Sequence, residues 1–170
     1  MKRIFLGGGC FWGLEAYFKR VKGIEKTSVG YLNSKVNSPT YQEVCSGETE
    51  AVEALMVEYD ENIISLEKVL NHFFKNIDPT TLDKQGHDIG TQYRSGIYYL
   101  KGNELEIIRK VIENIQREYS KPIVTEVKEV KNFYPAEEYH QAYLEKNPGG
   151  YCHNLGAILD LKKTEEYNGK

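Results

Sequence analysis

Cys10 stands between a run of glycines and two aromatic residues, in the segment Gly7-Gly8-Gly9-Cys10-Phe11-Trp12-Gly13. Glycines permit a tight turn that leaves the sulfur approachable, and Phe11 and Trp12 place apolar surface beside it. The pattern predicts a strand before Cys10 and a helix after it. At a helix N-terminus, free backbone N–H groups and the helix dipole favour the thiolate form. We therefore expect Cys10 to be a nucleophile that attacks something small and apolar.

The glycine run has three competing interpretations. A phosphate-binding loop would end in Gly-Lys-Ser or Gly-Lys-Thr, whereas Gly13 is followed by Leu14-Glu15. A dinucleotide-binding fingerprint would have a glycine where Trp12 stands. The third interpretation, a buried and inert cysteine, describes most free cysteines, but the three consecutive glycines beside Cys10 weaken it.

The three cysteines, Cys10, Cys45 and Cys152, are an odd number and widely spaced, which disfavours a structural disulfide framework. They also lack the C-x-x-C clustering of structural zinc sites, so we expect no metal site. Cys152 follows Pro148-Gly149-Gly150-Tyr151, a flexible stretch that would let its sulfur travel to another one. Disulfide exchange needs such a second sulfur, which makes Cys152 a better candidate for a resolving cysteine than Cys45.

Five other polar residues could take part in chemistry at Cys10, and each has an alternative structural explanation. Glu53 shares a predicted strand face with apolar residues, so its carboxyl group is either at a sheet edge in water or buried with a raised pKa. Tyr41 and Tyr93 lie in two long polar loops, and in a chain with 13 tyrosines either could simply cover the core. His87 and Asp88, in the second loop, would more often stabilise the loop by hydrogen bonding than act in catalysis.

The composition excludes several classes of function. A net charge of −3 over 170 residues leaves no basic surface for nucleic acid and no polybasic patch for a membrane. After Lys2-Arg3 only Ile4-Phe5-Leu6 precede the glycines, which is too short for a signal-peptide core. No apolar run is long enough to span a bilayer. We therefore expect a cytoplasmic protein.

The periodicity of apolar residues predicts one domain over residues 1–170, built from strands and helices. The predicted strands cover residues 2–6, 24–31, 51–59, 95–100 and 123–131. The predicted helices cover residues 14–21, 65–77, 103–119 and 136–146. Residues 33–47 and 78–94 are predicted as long polar loops, which are usually functional in compact domains. The residues after Pro148-Gly149-Gly150 have no clear periodicity and are predicted as coil.

The first six predicted elements follow the order β-α-β-β-α-β, which is typical of the split βαβ or ferredoxin-like plait. We expect an α/β (α+β) two-layer sandwich: an antiparallel or mixed sheet with helices mainly on one side, extended by further helices and a C-terminal coil. In this arrangement the turn that holds Cys10 and the two long loops could meet at one edge of the sheet. The strand order stays open.

Four segments of the chain resemble the peptide methionine sulfoxide reductase A family, and they occur in the family's order over nearly the whole chain. The segments are GGCFWG (8–13), PTYQEVCSG (39–47), GHDIGTQYRS (86–95) and YHQ (139–141). The resemblance implies an α/β two-layer plait. It also implies an enzyme that reduces methionine-S-sulfoxide, free or in proteins, with thioredoxin as the usual reductant and no cofactor.

The resemblance implies a role for each candidate residue. Cys10 matches the family's nucleophile, and Glu53 matches the acid that protonates the sulfoxide oxygen. The other residues match those that surround the substrate or complete the cycle: Phe11 and Trp12 the pocket for the methyl group, Tyr41 and Tyr93 the hydrogen bonds to the oxygen, Asp88 the contact with the substrate backbone, and Cys152 the recycling cysteine.

The implied chemistry explains these residue types. A sulfoxide oxygen is a very poor leaving group unless it is protonated, so attack at sulfur needs an acid and a nucleophile together. An ionised Glu53 would raise the pKa of Cys10, whereas a Glu53 kept neutral by apolar neighbours could donate its proton. Cys10 would then become a sulfenic acid and condense with Cys152 to a disulfide.

The chain departs from the family pattern in two places. Glu50-Ala51-Val52 stand where many members have Gly-His-Ala, so a histidine near the acid is absent. Many members carry two recycling cysteines near the C-terminus, whereas this chain has only Cys152 there. We therefore expect recycling through a single Cys10–Cys152 disulfide.

Two other functions stay open at this stage. A cysteine hydrolase or thioesterase would need a histidine base near Cys10, for which only His87 can be proposed. A module that binds oxidised methionine without turnover would need neither Glu53 nor Cys152. Nothing in the sequence indicates an obligate interface, so we expect a monomer.

Overall fold

Eight strands form two sheets in the computed structural model, which describes residues 1–170. The strands are, in chain order, β1 (Lys2–Gly7), β2 (Ile24–Leu32), β3 (Val52–Tyr59), β4 (Lys84–Gln85), β5 (Asp88–Ile89), β6 (Gly96–Tyr99), β7 (Glu126–Glu129) and β8 (Phe133–Pro135). Six of them form a main sheet in the order β7-β6-β1-β3-β2-β8, and β4 pairs with β5 in a separate hairpin. Neighbours in the main sheet are antiparallel, except β6 and β7, which are parallel. The main sheet is therefore mixed, as predicted.

Six α-helices accompany the sheets: α1 (Phe11–Phe18), α2 (Tyr41–Cys45), α3 (Leu66–Phe74), α4 (Leu105–Gln116), α5 (Tyr143–Lys146) and α6 (Leu155–Leu161). Short 3-10 helices cover Thr91–Tyr93, Gly102–Glu104 and Glu138–His140. The main core forms where α1, α3 and α4 pack on one face of the sheet, through residues that include Leu14, Phe18, Leu70, Phe73 and Ile108. Fully burying one such side chain contributes roughly 1.5–3 kcal/mol to the free energy of unfolding. None of the helices has the length and apolar character that a membrane crossing requires.

Strand β3 lies in the interior of the sheet and alternates as predicted. Leu55 and Val57 face the main core, whereas Ala54 and Met56 face a smaller apolar cluster on the other side. The antiparallel register of β1 and β3 places Gly7 opposite Ala54. The end of β1, which leads into the cysteine-bearing turn, therefore lies beside the beginning of β3.

The two predicted loops contain short regular elements. Helix α2 forms within residues 33–47 because a capping box starts it: the Thr40 hydroxyl accepts a hydrogen bond from the Glu43 N–H, and the Glu43 carboxylate accepts one from the Thr40 N–H. Val44 is its one buried residue, so the sequence has no apolar periodicity there that would predict the helix. Residues 78–94 contain the β4–β5 hairpin and a 3-10 helix.

The predicted helix over residues 136–146 is wrong. A 3-10 helix over Glu138–His140 is followed by Ala142, whose backbone is left-handed with φ of 52°. The Ala142 N–H donates a hydrogen bond to Glu15 Oε1 over 2.6 Å. The Gln141 side chain also bonds to both backbone groups of Val29. These tertiary hydrogen bonds hold the chain out of a continuous helix, although its sequence favours one.

The predicted C-terminal coil is also wrong, because α6 forms there with Ile158 and Leu161 buried against the core. Other boundaries differ as well. The predicted strand over residues 123–131 is limited to β7, and α1 begins at Phe11 rather than at residue 14. Helix ends are the least certain part of a sequence pattern, since capping and fraying decide them.

Candidate active site

Cys10 lies where β1 passes into α1, and it is the N-cap residue of that helix with an extended backbone (φ −66°, ψ 129°). Gly9 has a left-handed φ of +72°, which favours glycine, and its N–H donates a hydrogen bond to the Tyr93 carbonyl over 3.1 Å. The chain therefore makes the predicted strand-to-helix turn. The thiol is not exposed in that turn, however, because only 8% of Cys10 is accessible.

The pKa of the Cys10 thiol is raised, which contradicts the expectation that the helix N-terminus favours a thiolate. Burial is the largest cause, and the charge of Glu53 adds to it. The backbone N–H of Trp12 acts in the predicted direction and lowers the pKa, but its effect is smaller than that of burial. The thiol is therefore neutral at pH 7 in this state.

Glu53 is buried on the helix-facing side of β3, with 1% of the residue exposed, so it does not lie at a sheet edge. Its Oε1 accepts a hydrogen bond from the Phe11 N–H over 3.2 Å, and its Oε2 has no partner. Burial raises the pKa of Glu53 to about 8, the nearby charge of Asp88 acts in the same direction, and the Phe11 N–H opposes both. A carboxyl group with this pKa is roughly nine-tenths protonated at pH 7.

Tyr41 and Tyr93 come from different elements, and the charge of Glu53 affects the pKa of both phenols. Tyr41 begins α2, and Tyr93 ends the 3-10 helix that follows the β4–β5 hairpin. Burial raises the pKa of both phenols, and Glu53 is the second cause in each case. Cys10 also contributes to the raised pKa of Tyr93. Two neutral hydroxyl donors therefore stand in the surroundings of Cys10 and Glu53.

His140 and Tyr143 complete the aromatic surroundings of Trp12, and neither residue has a role predicted from the sequence. The Trp12 Nε1–H donates a hydrogen bond to His140 Nδ1 over 2.9 Å, and the Trp12 and Tyr143 rings stack with centroids 3.7 Å apart. His140 is buried, and its ring lies 5.3 Å from that of Phe11 and 4.6 Å from that of Tyr41. The segment YHQ (139–141) was the only sequence signal that could have identified His140. Its contact with Phe11 and Trp12 is visible only in the folded structure.

Asp88 lies on the β4–β5 hairpin, and the Tyr151 hydroxyl donates a hydrogen bond to its Oδ2 over 3.1 Å. This bond joins the hairpin to the segment that contains Cys152. Asp88 also contributes to the raised pKa of both Cys10 and Glu53. The structure thus places this predicted substrate contact at the same site.

Cys152 is half-buried, and its thiol donates a hydrogen bond to Asn154 Oδ1 over 3.1 Å. The Asn154 Nδ2 donates hydrogen bonds to the Gly13 carbonyl over 2.9 Å and to Asn76 Oδ1 over 2.7 Å. These bonds dock the segment on the first turn of α1, immediately after Cys10. His153, the residue after Cys152, lies against Gly9, the residue before Cys10, so the two free thiols lie on segments that contact each other.

Two other residues considered from the sequence lie in exposed positions. His87 is exposed on the turn of the β4–β5 hairpin and makes no side-chain hydrogen bond, so it lacks the orienting partner that a catalytic base needs. Cys45 is an exposed free thiol at the end of α2. No group of three or more His, Cys, Asp or Glu side chains is arranged to hold a metal ion.

Comparisons with known proteins identify the family of this chain. The sequence profile of the family described as Peptide methionine sulfoxide reductase matches residues 2–169. A Mycoplasma genitalium protein named peptide methionine sulfoxide reductase MsrA is 58% identical over 153 residues, which are 90% of this chain and 98% of that protein. A Clostridium botulinum protein of the same name is 60% identical over the same shares of the two chains.

Solved structures are similar as well. The crystal structure of Mxr1 from Saccharomyces cerevisiae in reduced form superposes with a TM-score of 0.84 at 40% identity, covering 89% of this chain and 88% of that one. Methionine sulfoxide reductase A of Corynebacterium diphtheriae gives 0.80 at 35% identity, covering 89% and 77%. Mxr1 in complex with Trx2 gives 0.61 at 30% identity, covering 84% of each chain. The chain therefore belongs to the peptide methionine sulfoxide reductase family, in its MsrA group, and its activity is the reduction of methionine sulfoxide.

Proposed function

We propose that this chain reduces methionine-S-sulfoxide, free or in proteins, by attack of Cys10 on the sulfoxide sulfur with Glu53 as the acid. The observation that carries this assignment is the state of Glu53. One of its oxygens accepts the Phe11 N–H, the other has no partner, and its pKa of about 8 keeps it protonated at pH 7. A buried neutral acid beside a cysteine is what protonation of a sulfoxide oxygen requires.

No proton has to enter or leave the site during this step. Glu53 gives its proton to the sulfoxide oxygen as the Cys10 sulfur attacks, and the proton of the Cys10 thiol replaces it. The attack joins the Cys10 sulfur to the substrate sulfur. The hydroxyl group then passes to the Cys10 sulfur as this S–S bond and the S–O bond of the substrate break, so methionine leaves reduced and Cys10 is oxidised to a sulfenic acid. A raised thiol pKa makes proton removal the difficult part of the attack, so coupling it to the acid lowers that cost.

The remaining residues would position the substrate. Phe11 and Trp12 would receive the methyl group, and the hydroxyl groups of Tyr41 and Tyr93 would donate hydrogen bonds to the oxygen. One buried methyl group is worth only about 0.8 kcal/mol, so the choice of the S epimer depends on where the tyrosines hold the oxygen. Asp88 would bind the substrate backbone.

We further propose that Cys152 attacks the Cys10 sulfenic acid, which forms a Cys10–Cys152 disulfide and releases water. A dithiol reductant of the thioredoxin class would then reduce the disulfide. Two findings support this cycle. Asn154, two residues after Cys152, donates a hydrogen bond to the Gly13 carbonyl in the helical turn that follows Cys10, and a similar protein, Mxr1, has been solved in complex with Trx2. The chain would act as a monomer, since one chain supplies every residue of the site.

We also infer that β6-β1-β3-β2 with α1 and α3 is a ferredoxin-like plait. The element order β-α-β-β-α-β and the antiparallel pairing of these four strands support this interpretation.

A single-turnover experiment tests the proposal. The reduced protein is mixed with excess methionine sulfoxide and no reductant, and methionine and free thiols are counted. We expect about one methionine per chain, two thiols lost, and a Cys10–Cys152 disulfide in the peptide map. Cys10→Ser should form no methionine, and Cys45→Ser should behave like the unmodified chain. A disulfide that contains Cys45 would contradict the assignment of Cys152.

A further inference from the structure

His153 lies against Gly9, which precedes Cys10, and against Gly13, which lies in the first turn of α1. Its Nε2 is 3.1 Å from the position that a Cβ of Gly9 would occupy, and its Nδ1 is 3.1 Å from the corresponding position at Gly13. The missing side chains of these two glycines therefore make the space that the imidazole fills. His153 also directly follows Cys152 in the chain, so it lies between the segments that carry the two cysteines of the proposed disulfide.

The backbone carbonyl of Asn76 is the one hydrogen-bonding group that acts on the His153 ring in this state. Both ring nitrogens are buried, and neither makes a well-formed hydrogen bond. The next residue, Asn154, is different, because its amide bonds to the Gly13 carbonyl, Asn76 and the Cys152 thiol. A neutral imidazole has one donor and one acceptor nitrogen, so His153 can take up one proton and release another.

His153 is in the right protonation state to act as a base at neutral pH. Burial lowers its pKa, and the charge of Asp88 together with the backbone carbonyl of Asn76 offsets only part of this effect. The thiol of Cys152 currently donates to Asn154 Oδ1, but an amide oxygen does not accept a proton outright. The Asp88 carboxylate is bonded to the Tyr151 hydroxyl. The imidazole is therefore the available proton acceptor beside Cys152.

We propose that His153 carries the proton of the recycling step, from the Cys152 thiol to the hydroxyl group of the Cys10 sulfenic acid. The step rests on the proposed Cys10–Cys152 disulfide. The S–S bond forms as the S–O bond of Cys10 breaks, and the hydroxyl leaves as water with the proton that Cys152 lost. The Cys152 sulfur is oxidised, the Cys10 sulfur is reduced, and His153 ends neutral. No further oxidant or reductant is needed.

The test compares His153→Gln with a matched control, His87→Gln. His87 is exposed, and no cysteine lies beside it in the sequence. Each reduced protein is mixed with methionine sulfoxide without reductant and quenched over time. Methionine is measured by chromatography, and the disulfide is measured by alkylation of free thiols and mass spectrometry. Methionine formation reports on the first step and on folding, and disulfide formation reports on recycling alone.

We expect His153→Gln to form its one methionine at nearly the normal rate but to form the disulfide about 100-fold more slowly. A Cys10 sulfenic acid should accumulate and be trapped by dimedone. In the unmodified chain, disulfide formation should slow as pH falls and His153 becomes protonated. The variant should lose this dependence, and added imidazole should restore part of its rate. His87→Gln should show none of these changes.

Three results would overturn the role of His153. The first is disulfide formation at the normal rate in His153→Gln. The second is slow formation with the pH profile of the unmodified chain and no rescue by imidazole, which would make His153 a structural residue. The third is loss of the methionine burst itself, which would mean that His153 is needed for the first step rather than for recycling. If the unmodified chain forms methionine but no Cys10–Cys152 disulfide, the proposed recycling route fails as well, and the two failures are thereby distinguished.

Discussion

The backbone N–H of Phe11 donates a hydrogen bond to Glu53 Oε1 over 3.2 Å. This bond fixes the carboxyl group of Glu53 relative to Cys10, because Phe11 directly follows Cys10. It also uses an N–H group of the first helical turn, which has no partner within the helix. The same bond lowers the pKa of Glu53, while burial raises it by more. The helix N-terminus thus positions the acid in addition to contacting the cysteine.

Glu53→Gln should slow methionine formation in the first turnover by about 100-fold, because the amide keeps the size of the side chain but cannot give up a carboxyl proton. The dependence of the rate on substrate concentration should change little. Single-turnover rates measured over a range of methionine sulfoxide concentrations separate the two effects.

The control for this substitution is Glu58→Gln on the same strand, where the carboxylate is 3.9 Å from Arg3 at the far end of β3. It should leave both quantities unchanged. Equal losses of rate and of binding in Glu53→Gln would mean that Glu53 positions the substrate rather than protonating it.

The stability of the protein should fall as pH rises from about 4.3 to about 8, through Glu53. Its pKa is about 8 in the folded protein, whereas an unfolded chain releases the same proton near about 4.3. Between these values the folded state holds a proton that the unfolded state has lost, so the free energy of unfolding decreases with pH. The contribution is at most about 5 kcal/mol, at 1.36 kcal/mol per pKa unit.

Urea unfolding of the unmodified chain and of Glu53→Gln checks this effect at about pH 5 and about pH 9. The variant should gain stability relative to the unmodified chain at the higher pH, because it carries no charge to bury. A difference between the two proteins that does not change with pH would contradict the raised pKa of Glu53.

Gly13→Ala should destabilise the protein by about 1–3 kcal/mol and slow disulfide formation, because the new Cβ would collide with Asn154 Oδ1. The Asn154 side chain docks the Cys152 segment on α1 by donating a hydrogen bond from its Nδ2 to the Gly13 carbonyl. The matched control is Gly156→Ala in α6, where a Cβ meets nothing within 4 Å. It should stabilise the protein by about 0.5–1 kcal/mol, as alanine does in a helix. Urea unfolding and the disulfide time course measure both variants, and equal effects of the two alanines would exclude the collision.

Trp12→Phe should destabilise the protein by about 1–3 kcal/mol and raise the KM for methionine sulfoxide. The phenyl ring can still stack on Tyr143, but His140 Nδ1 loses its donor and stays buried without a partner. Tyr139→Phe is the control, because the Tyr139 ring also contacts His140 while the residue is half exposed. Urea unfolding and steady-state kinetics give the two readouts. An unchanged KM would show that the Trp12–His140 contact does not contribute to substrate binding.

Much of the fold follows from local pattern. The alternation of residues 51–59 correctly predicts which residues share a face of β3, and Ser65 followed by a single apolar face predicts α3. The turn at Cys10 also follows from its glycines, since Gly9 needs a left-handed backbone there. These patterns depend on a few neighbouring residues, so they can be recognised without knowledge of the rest of the chain.

Other elements depend on contacts between distant segments. Ala142 adopts a left-handed conformation because Glu15 accepts its N–H, which divides a predicted helix. Helix α6 has little periodicity of its own and forms where Ile158 and Leu161 meet the core. Neither partner can be identified from the local sequence.

The sequence by itself determined the candidate residues: a cysteine at a helix start, an acid on an apolar strand face, and a second cysteine near the C-terminus. Only the tertiary structure decided their chemical state. Glu53 is protonated and the Cys10 thiol has a raised pKa because both are buried at one site, and His153 fills the space left by two glycines. Desolvation and unpaired hydrogen-bonding groups depend on what surrounds a side chain in space, and residue order alone does not specify those surroundings.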